Sequence, residues 1–481
     1  MRAALAVAAI AAAAAAAHAE TRPQYGRSVE ASLLGAPASL DPVAALTHGE
    51  ITVIGLVFDT LYTIGPDGAV EPHLALGPPV LDAARTTAHI ALRHGVQFHD
   101  AGAMTPGDVA DSLERVRSKL AWLLAPVASV RAAGDGIDLA LRAPGVDVAP
   151  LLALPQTAIT PHGRPPGPRA IGSGPFAVDS FDREHGLVLK AFDDHFAGRP
   201  YLDRLDLTWY VTPDGEARRF ETGQAQLSAR GQAAFAGAKS RFPAAAVESP
   251  ATVLVFVGFG RQHAAVLESA FRRALDLALD RGAVATITTG ERAEATRLPV
   301  PGGAPLVAAS VPGNPRDART LLDDAGRSVP ALAEAARRTL RLSIIVDATR
   351  PDDREIALRV SRALDRLGIS FAIEALPASQ HRLRVVRGEC DLWIGQLAAP
   401  IAAPAAWWGP AFAAGGDDWA RRQLATGAID PAAAAQEFAR KLPIVPLMFR
   451  SLLVWHQIDV HGLTFDASGR PGLADLYWIK P

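Results

Sequence analysis

Three histidines, His89, His94 and His99, recur every five residues and are the first candidates for metal chemistry. Five-residue spacing places successive members on opposite faces of a strand and fits no single helix face. The adjacent pair in "FHD" falls short of the ligand count a zinc site needs. No metal and no cofactor is expected here.

The glycine-rich stretch "AIGSGPFAVDSF", residues 170–181, poses a second question. It matches neither G-x-x-x-x-G-K-[ST] nor G-x-G-x-x-G, and no lysine follows it. Phosphate loops open helices. Here an apolar-polar alternation follows instead, so the turn is expected to launch a strand. Paired acids stand at Asp193-Asp194, Asp323-Asp324, Asp352-Asp353 and Asp417-Asp418. Each lies in an expected turn or helix start, where aspartate caps backbone N–H groups, and all read as solvated caps. There is no G-x-S-x-G elbow and no H-E-x-x-H pair, so no hydrolytic centre is nominated. Trp407, Trp408 and Trp419 fall in an Ala/Gly/Pro-rich stretch that reads as loop. Large aromatics there either line a ligand site or cover a domain edge.

The elements around these residues give an α/β pattern. "SVEASLL" reads as a strand ended by "SLDP". "ITVIGLVFDTLY" carries apolar residues at helical spacing. "TPGDVADSLERVRSK" opens on Thr105 as N-cap, Pro106 at the first helical position and Asp108 in the first turn. A Pro/Gly-rich run at 161–168 marks a crossover. "FAVDSFDREHGLVLKAF" reads as a hairpin and "TVLVFVGFG" as a buried strand. "HAAVLESAFRRALDLALDRGAVATI" is read as the longest amphipathic helix. Residues 297–318 and 399–416 read as loops. "LRLSIIVDATRPDDREIALRVSRALDRLGISFAIEAL" reads as strand, helix and parallel strand. "CDLWIGQL" is a further buried strand that begins beside Cys390, read as a buried, inert thiol.

The chain has 481 residues, enough for two or three domains. Lys+Arg number 48 against 50 Asp+Glu, so no global charge points to nucleic acid. The first twenty residues, "MRAALAVAAIAAAAAAAHAE", read as a cleavable secretory signal spanning 1–19, with A-x-A before Glu20. No cysteine follows to carry a lipid. No later apolar run is long enough to span a membrane. A periplasmic location is expected. The single cysteine allows no internal disulfide.

Taken together, several segments resemble the family 5 extracellular solute-binding proteins, the peptide- and nickel-binding receptors of ABC importers. "IALRHGVQFHDAGAMTPGDVADSLERV" resembles the family's strand pair, F-H-D-G turn and A-x-D-V-x-x-S helix. "VFDTLYTIGPDGAVEPHLAL", "GSGPFAVDSF" and "AFRRALDLALDRGAV" resemble further segments in the family's order. The resemblance runs from about residue 28 to the C-terminus. It implies a type II-like periplasmic binding protein fold, with two lobes joined by a hinge and an extra subdomain inserted in the first lobe. Lobe 1 is expected over 20–60, 166–255 and 445–481, the inserted subdomain over 61–165 and lobe 2 over 256–444. The hinge segments are expected near 250–260 and 440–450.

The implied function is capture of a small organic ligand, peptide-like or other, by lobe closure, with delivery to an inner-membrane ABC permease by a monomeric receptor. No catalysis is implied. On this reading the ligand contacts are His48, Trp393, Gln396, Leu397, Trp407 and Trp408. The aromatics cover an apolar ligand, and His48 and Gln396 orient it. One departure concerns the aspartate that receives a peptide's amino terminus in peptide-binding members. "DLWIGQLAAPIAAP" places Ala399 and Pro400 there and carries no acid. A buried ammonium without a carboxylate is costly. Asp417 or Asp418 substitutes only if its loop folds inward. The rival readings are an exported α/β hydrolase and a sensory or chaperone-like protein using the same cleft.

Overall fold

The computed structural model describes residues 23–33, 35–210, 212–229, 244–286, 293–300, 313–398, 404–426 and 429–479. The expected signal segment, the position of Ala399 and Pro400, and 301–312 of the expected loop lie outside the described residues.

Among the described residues the alternating segments build three larger sheets beside two two-stranded ones. A seven-stranded sheet runs in the order Ala244–Glu248, Leu453–Gln457, Leu227–Ser228, Ser28–Ser32, Arg204–Thr208, Gly186–Ala191, Phe176–Asp182. Its last two strands are the antiparallel hairpin expected after the glycine turn. Val29, Leu187, Leu189, Leu205 and Leu207 point inward at period two and pack on the helix His48–Val57. That helix is apolar nearly all round and almost every residue of it is buried. Such a helix belongs between packed layers rather than on a surface.

A four-stranded sheet, Val80–Leu81, Thr87–Ala91, Gly136–Leu141 and Val127–Ala133, carries its own core with the helix Pro106–Lys119. Thr105 and Asp108 close a reciprocal capping box at that helix's start, as their spacing predicts.

A six-stranded sheet runs Ala293–Ala295, Val445–Arg450, Val253–Phe259, Leu392–Ala398, Arg341–Asp347, Ser370–Leu376. The strands 341–347 and 370–376 are parallel, with the helix Pro351–Asp365 between them in the chain. The buried run Val253–Phe259 lies between Val445–Arg450 and Leu392–Ala398. The chain thus passes between the seven- and six-stranded sheets at 249–252 and again at 451–452. The two passages are hydrogen-bonded to each other: Ser249 N donates to Leu452 O, and Leu452 N to Ser249 Oγ, both at 2.8 Å.

Two expected elements differ. The stretch read as the longest amphipathic helix divides into a 3-10 turn at Ala264–Leu267 and helices at Ser269–Ala278 and Arg281–Ala285. Leu279 and Asp280 are extended, and the Asp280 carboxylate caps the second helix by accepting from Ala283 N. Among the described residues the longest helix is Pro351–Asp365. The stretch 399–416, read as loop, contains the helix Pro404–Ala414. Its composition is apolar throughout, so it shows no periodicity; the partners that fix it are tertiary.

Candidate functional site

A cavity of about 590 Å³ lies between the lobes, within the range of small-molecule sites. The first lobe lends residues of the stretch 36–50, Glu50 among them, the inserted subdomain lends Leu120 and Trp122, and the second lobe supplies the rest.

Glu50 stands at the third position of the helix His48–Val57, where the capping box with Thr47 fixes it. Its Oε1 accepts from Ala38 N at 3.1 Å, and its Oε2 from Leu46 N and Thr47 N, both at 3.0 Å. Oε2 also accepts from Arg382 Nη2 of the second lobe at 2.6 Å. Arg382 Nη1 donates to Ala44 O at 2.6 Å. Two backbone N–H groups also donate across the cleft, Ala36 N to Thr349 Oγ1 at 2.9 Å and Ala398 N to Leu46 O at 3.3 Å.

Arg350 is buried just before the helix Pro351–Asp365, with Nε 2.9 Å from Asp353 Oδ2 and 3.5 Å from Asp347 Oδ2. Burial works against its charge, but Asp353 and Asp347 outweigh it and hold the guanidinium above its ordinary pKa. Gly35, at φ +97°, lets the first lobe's backbone reach this group: a Cβ there would lie 2.8 Å from Arg350 Cγ. Asp353 is buried as well, and its Oδ1 accepts from Gln396 Nε2 at 3.0 Å. Burial pushes its carboxyl up to about 7 against the pull of Arg350, with Asp347 and Asp352 adding to the rise. The expectation that Asp352-Asp353 is a solvated cap therefore fails. Asp353 is sealed into an ion pair, and Asp352 pairs with Arg450 at 3.1 Å. His381 is held neutral, its pKa lowered to about 3 by burial first and then by Arg350 and Arg382.

Of the expected ligand contacts, Trp393, Gln396 and Leu397 line the cavity. Trp393 packs edge-on against Phe256, their centroids 4.9 Å apart. It fills space that Gly258 leaves open, since a Cβ there would fall 2.1 Å from Trp393 Cε2.

His48, Trp407 and Trp408 are not brought there. His48 Nε2 lies 2.8 Å from Gly469 O, deep in the first lobe. Trp407 packs edge-on against Phe449 at 5.0 Å, and Trp408 against Phe438 at 5.8 Å. Both belong to a core with Phe412, Ile429 and Ile444. In an alanine-rich segment these two rings supply the volume that holds the helix Pro404–Ala414 to the lobe. Asp417 pairs with Lys441 and Asp418 with Arg421 and Arg422, so neither turns inward.

The other singled-out residues are structural. The turn 172–174 seats on the end of the first lobe's buried helix, where a Cβ on Gly172 would lie 2.0 Å from Val57 O. Ser173 Oγ donates to Asp59 at 2.8 Å, and Gly172 N donates to His99 Nδ1 at 3.2 Å. His89 pairs with Asp138 at 2.9 Å. Cys390 is buried, and burial pushes its thiol up to about 11.

Comparison with known proteins places this architecture. The model of bacterial extracellular solute-binding proteins, family 5 Middle, matches residues 69–419. The chain belongs to that family. It is 30% identical over 206 residues to the uncharacterized protein YhjP of Bacillus subtilis, a match covering 41% of this chain and 34% of that one. The chain spans about a third to a half of the length of the curated relatives it matches. In fold it is similar to the periplasmic binding protein AgaA of A. tumefaciens R10, solved with agropinic acid. That match has TM-score 0.77 and 19% identity, over 95% of this chain and 99% of that one. It is also similar to the periplasmic binding protein DppA of Helicobacter pylori, solved with the peptide STSA. Here the TM-score is 0.78 and the identity 17%, over 95% and 99%.

Sequence reasoning missed most of the cavity's residues, among them Glu50, Trp122, Arg272, Arg350, His381 and Arg382. Glu50 left one signal, as the acid three residues after Thr47 in a capping box that opens an otherwise apolar helix.

Proposed function

We propose that this chain is the substrate-binding receptor of an ABC importer, exported to the periplasm by its N-terminal segment. It would capture a compact organic solute between its lobes and present the closed form to a membrane permease. The observation that carries this reading is the cavity of about 590 Å³ walled by both lobes and the inserted subdomain, and bridged by Arg382–Glu50. A ligand enclosed this way contacts both lobes only when they meet, so it stabilises closure by its differential affinity for that state. Trp393 and Leu397 would pack on its apolar body, and Gln396, braced by Asp353, would hold the wall behind it.

The receptor is expected to act as a monomer.

Mass spectrometry of the purified protein under native conditions, with a thermal-shift screen of organic acids, peptides and metal chelates, tests this. A co-purified small molecule or a selective rise in melting temperature supports a receptor. Turnover of esters or peptides at the cavity would overturn it. Loss of uptake when the gene is deleted separates importer from sensor.

A further inference from the structure

The charges on the cavity wall do not balance. Among the described residues four guanidinium groups line it, Arg261, Arg272, Arg350 and Arg382, against two carboxylates, Glu50 and Asp347. Both carboxylates are occupied. Glu50 takes three backbone N–H groups and Arg382. Asp347 Oδ1 takes Thr349 N at 2.9 Å and Thr349 Oγ1 at 2.6 Å, while its Oδ2 faces Arg350. Glu50, the first lobe's only charge on the wall among the described residues, is thus already neutralised from the second.

Arg272 is the half-buried group of the four that has no acid partner among the described residues. It leaves the first turn of the helix Ser269–Ala278 half-buried, with its guanidinium carbon 4.6 Å from the Phe259 ring centroid. Nε donates to Val266 O at 3.1 Å and Nη1 reaches Leu442 O at 3.5 Å. No carboxylate of the described residues lies within ion-pair distance, and the acid that acts on it from further off, Asp417, is bound to Lys441. Burial lowers the pKa of this guanidinium. Arg261, on the same wall, likewise has no acid partner among the described residues, and its Nη2 donates to Arg387 O. A desolvated cation without a counter-charge is costly, and a ligand that brings the counter-charge recovers that cost. An incoming ammonium gains nothing comparable, because each acid on the wall already serves other donors.

We propose that the solute is a compact organic anion, a carboxylate-bearing molecule that carries no free ammonium group, with its carboxylate set against Arg272 and its apolar body against Trp122 and Trp393. This rests on the receptor reading above and narrows it: zwitterionic peptides are the disfavoured class.

The test is a thermal-shift and calorimetric panel in which each organic acid is paired with its primary amide and with an amine analogue of the same skeleton. N-acetylphenylalanine, its amide and phenylalanine amide form one such triplet. The acids are expected to bind at least ten-fold tighter than their partners, with affinity falling as salt rises. R272Q should weaken the acids at least ten-fold and abolish the preference, while R272K retains part of it. R261Q, at an exposed site, should weaken them less, and an apo melt of R272Q close to the parent's guards against misfolding. Amines or amides that bind as tightly as the acids overturn the anion assignment and leave the receptor standing. Binding by no compound of any class, with no co-purified molecule, overturns the receptor reading and the assignment with it.

Discussion

Arg382 and Glu50, 332 positions apart in the chain, meet across the cleft with Nη2 2.6 Å from Oε2. Glu50 is almost wholly buried and accepts three backbone N–H groups besides, so its carboxylate is held rigidly for the arginine. The lobes therefore meet through a charged contact that the ligand does not supply.

Replacing Arg382 by Gln should weaken that contact and move the population toward open. Small-angle scattering of the unliganded protein should show a larger radius of gyration, and ligand affinity should fall several-fold. E50Q should also cost roughly 2–4 kcal/mol of stability, since it removes one member of a buried pair. An unchanged scattering profile in R382Q would mean that the pair does not hold the lobes.

The tryptophans separate by role. W408A empties a core position and should cost about 3–5 kcal/mol in urea unfolding. W393A should instead lower ligand affinity at least ten-fold with a smaller loss of stability. Equal stability losses, with equal affinities in the fraction that remains folded, would place both rings in the core.

The carboxyl of Asp353 titrates near 7 in the fold and near its ordinary value when unfolded. The native state therefore binds this proton more tightly. The contribution to stability is complete below about pH 4 and is lost as pH rises through about 7. D353N cannot titrate. Its stability relative to the parent should improve by roughly 1–3 kcal/mol between pH 4 and pH 8, read from urea midpoints at each pH. Parallel pH profiles would show that Asp353 stays ionised throughout.

Gly409 faces the inserted subdomain, where a Cβ would lie 2.7 Å from Trp122 Cε3. G409A should push the ring away, open a seam beside the cavity and slow ligand-induced closure in stopped-flow fluorescence. A closure rate equal to the parent's would show that Trp122 yields freely.

Much of the architecture is legible in the sequence because it is local. Thr105, Pro106 and Asp108 announce their helix by chemistry confined to one turn. Val253–Phe259 announces its strand by an unbroken apolar run between turns. The segment around Trp407 and Trp408 misleads because an alanine-rich helix buried on several sides has no polar face to reveal its period. The cavity is largely illegible for a different reason. Ala36, Glu50, Trp122, Arg272, Arg350 and Arg382 come from separate segments, and only folding brings them together. Trp393, Gln396 and Leu397 were reachable because they share one strand whose place in the family's order is set. Asp353 shows the limit of local reasoning, since a residue in a helix's first turn reads as a solvated cap until its burial is seen.

The two passages between the sheets, bound to each other through Ser249 and Leu452, behave mechanically as one strip of two-stranded ribbon rather than two independent tethers. Such a strip flexes across its width and resists sliding of one edge past the other. On the receptor reading, the lobes would then swing like a door on a single pin, with one angle as the coordinate of opening. Along one angle, every contact made at the cleft has a definite lever arm to the pin. Substitutions at 249–252 or 451–452 should therefore act as changes in the stiffness of the spring, retuning the resting angle while the chemistry of the cavity stays as it is.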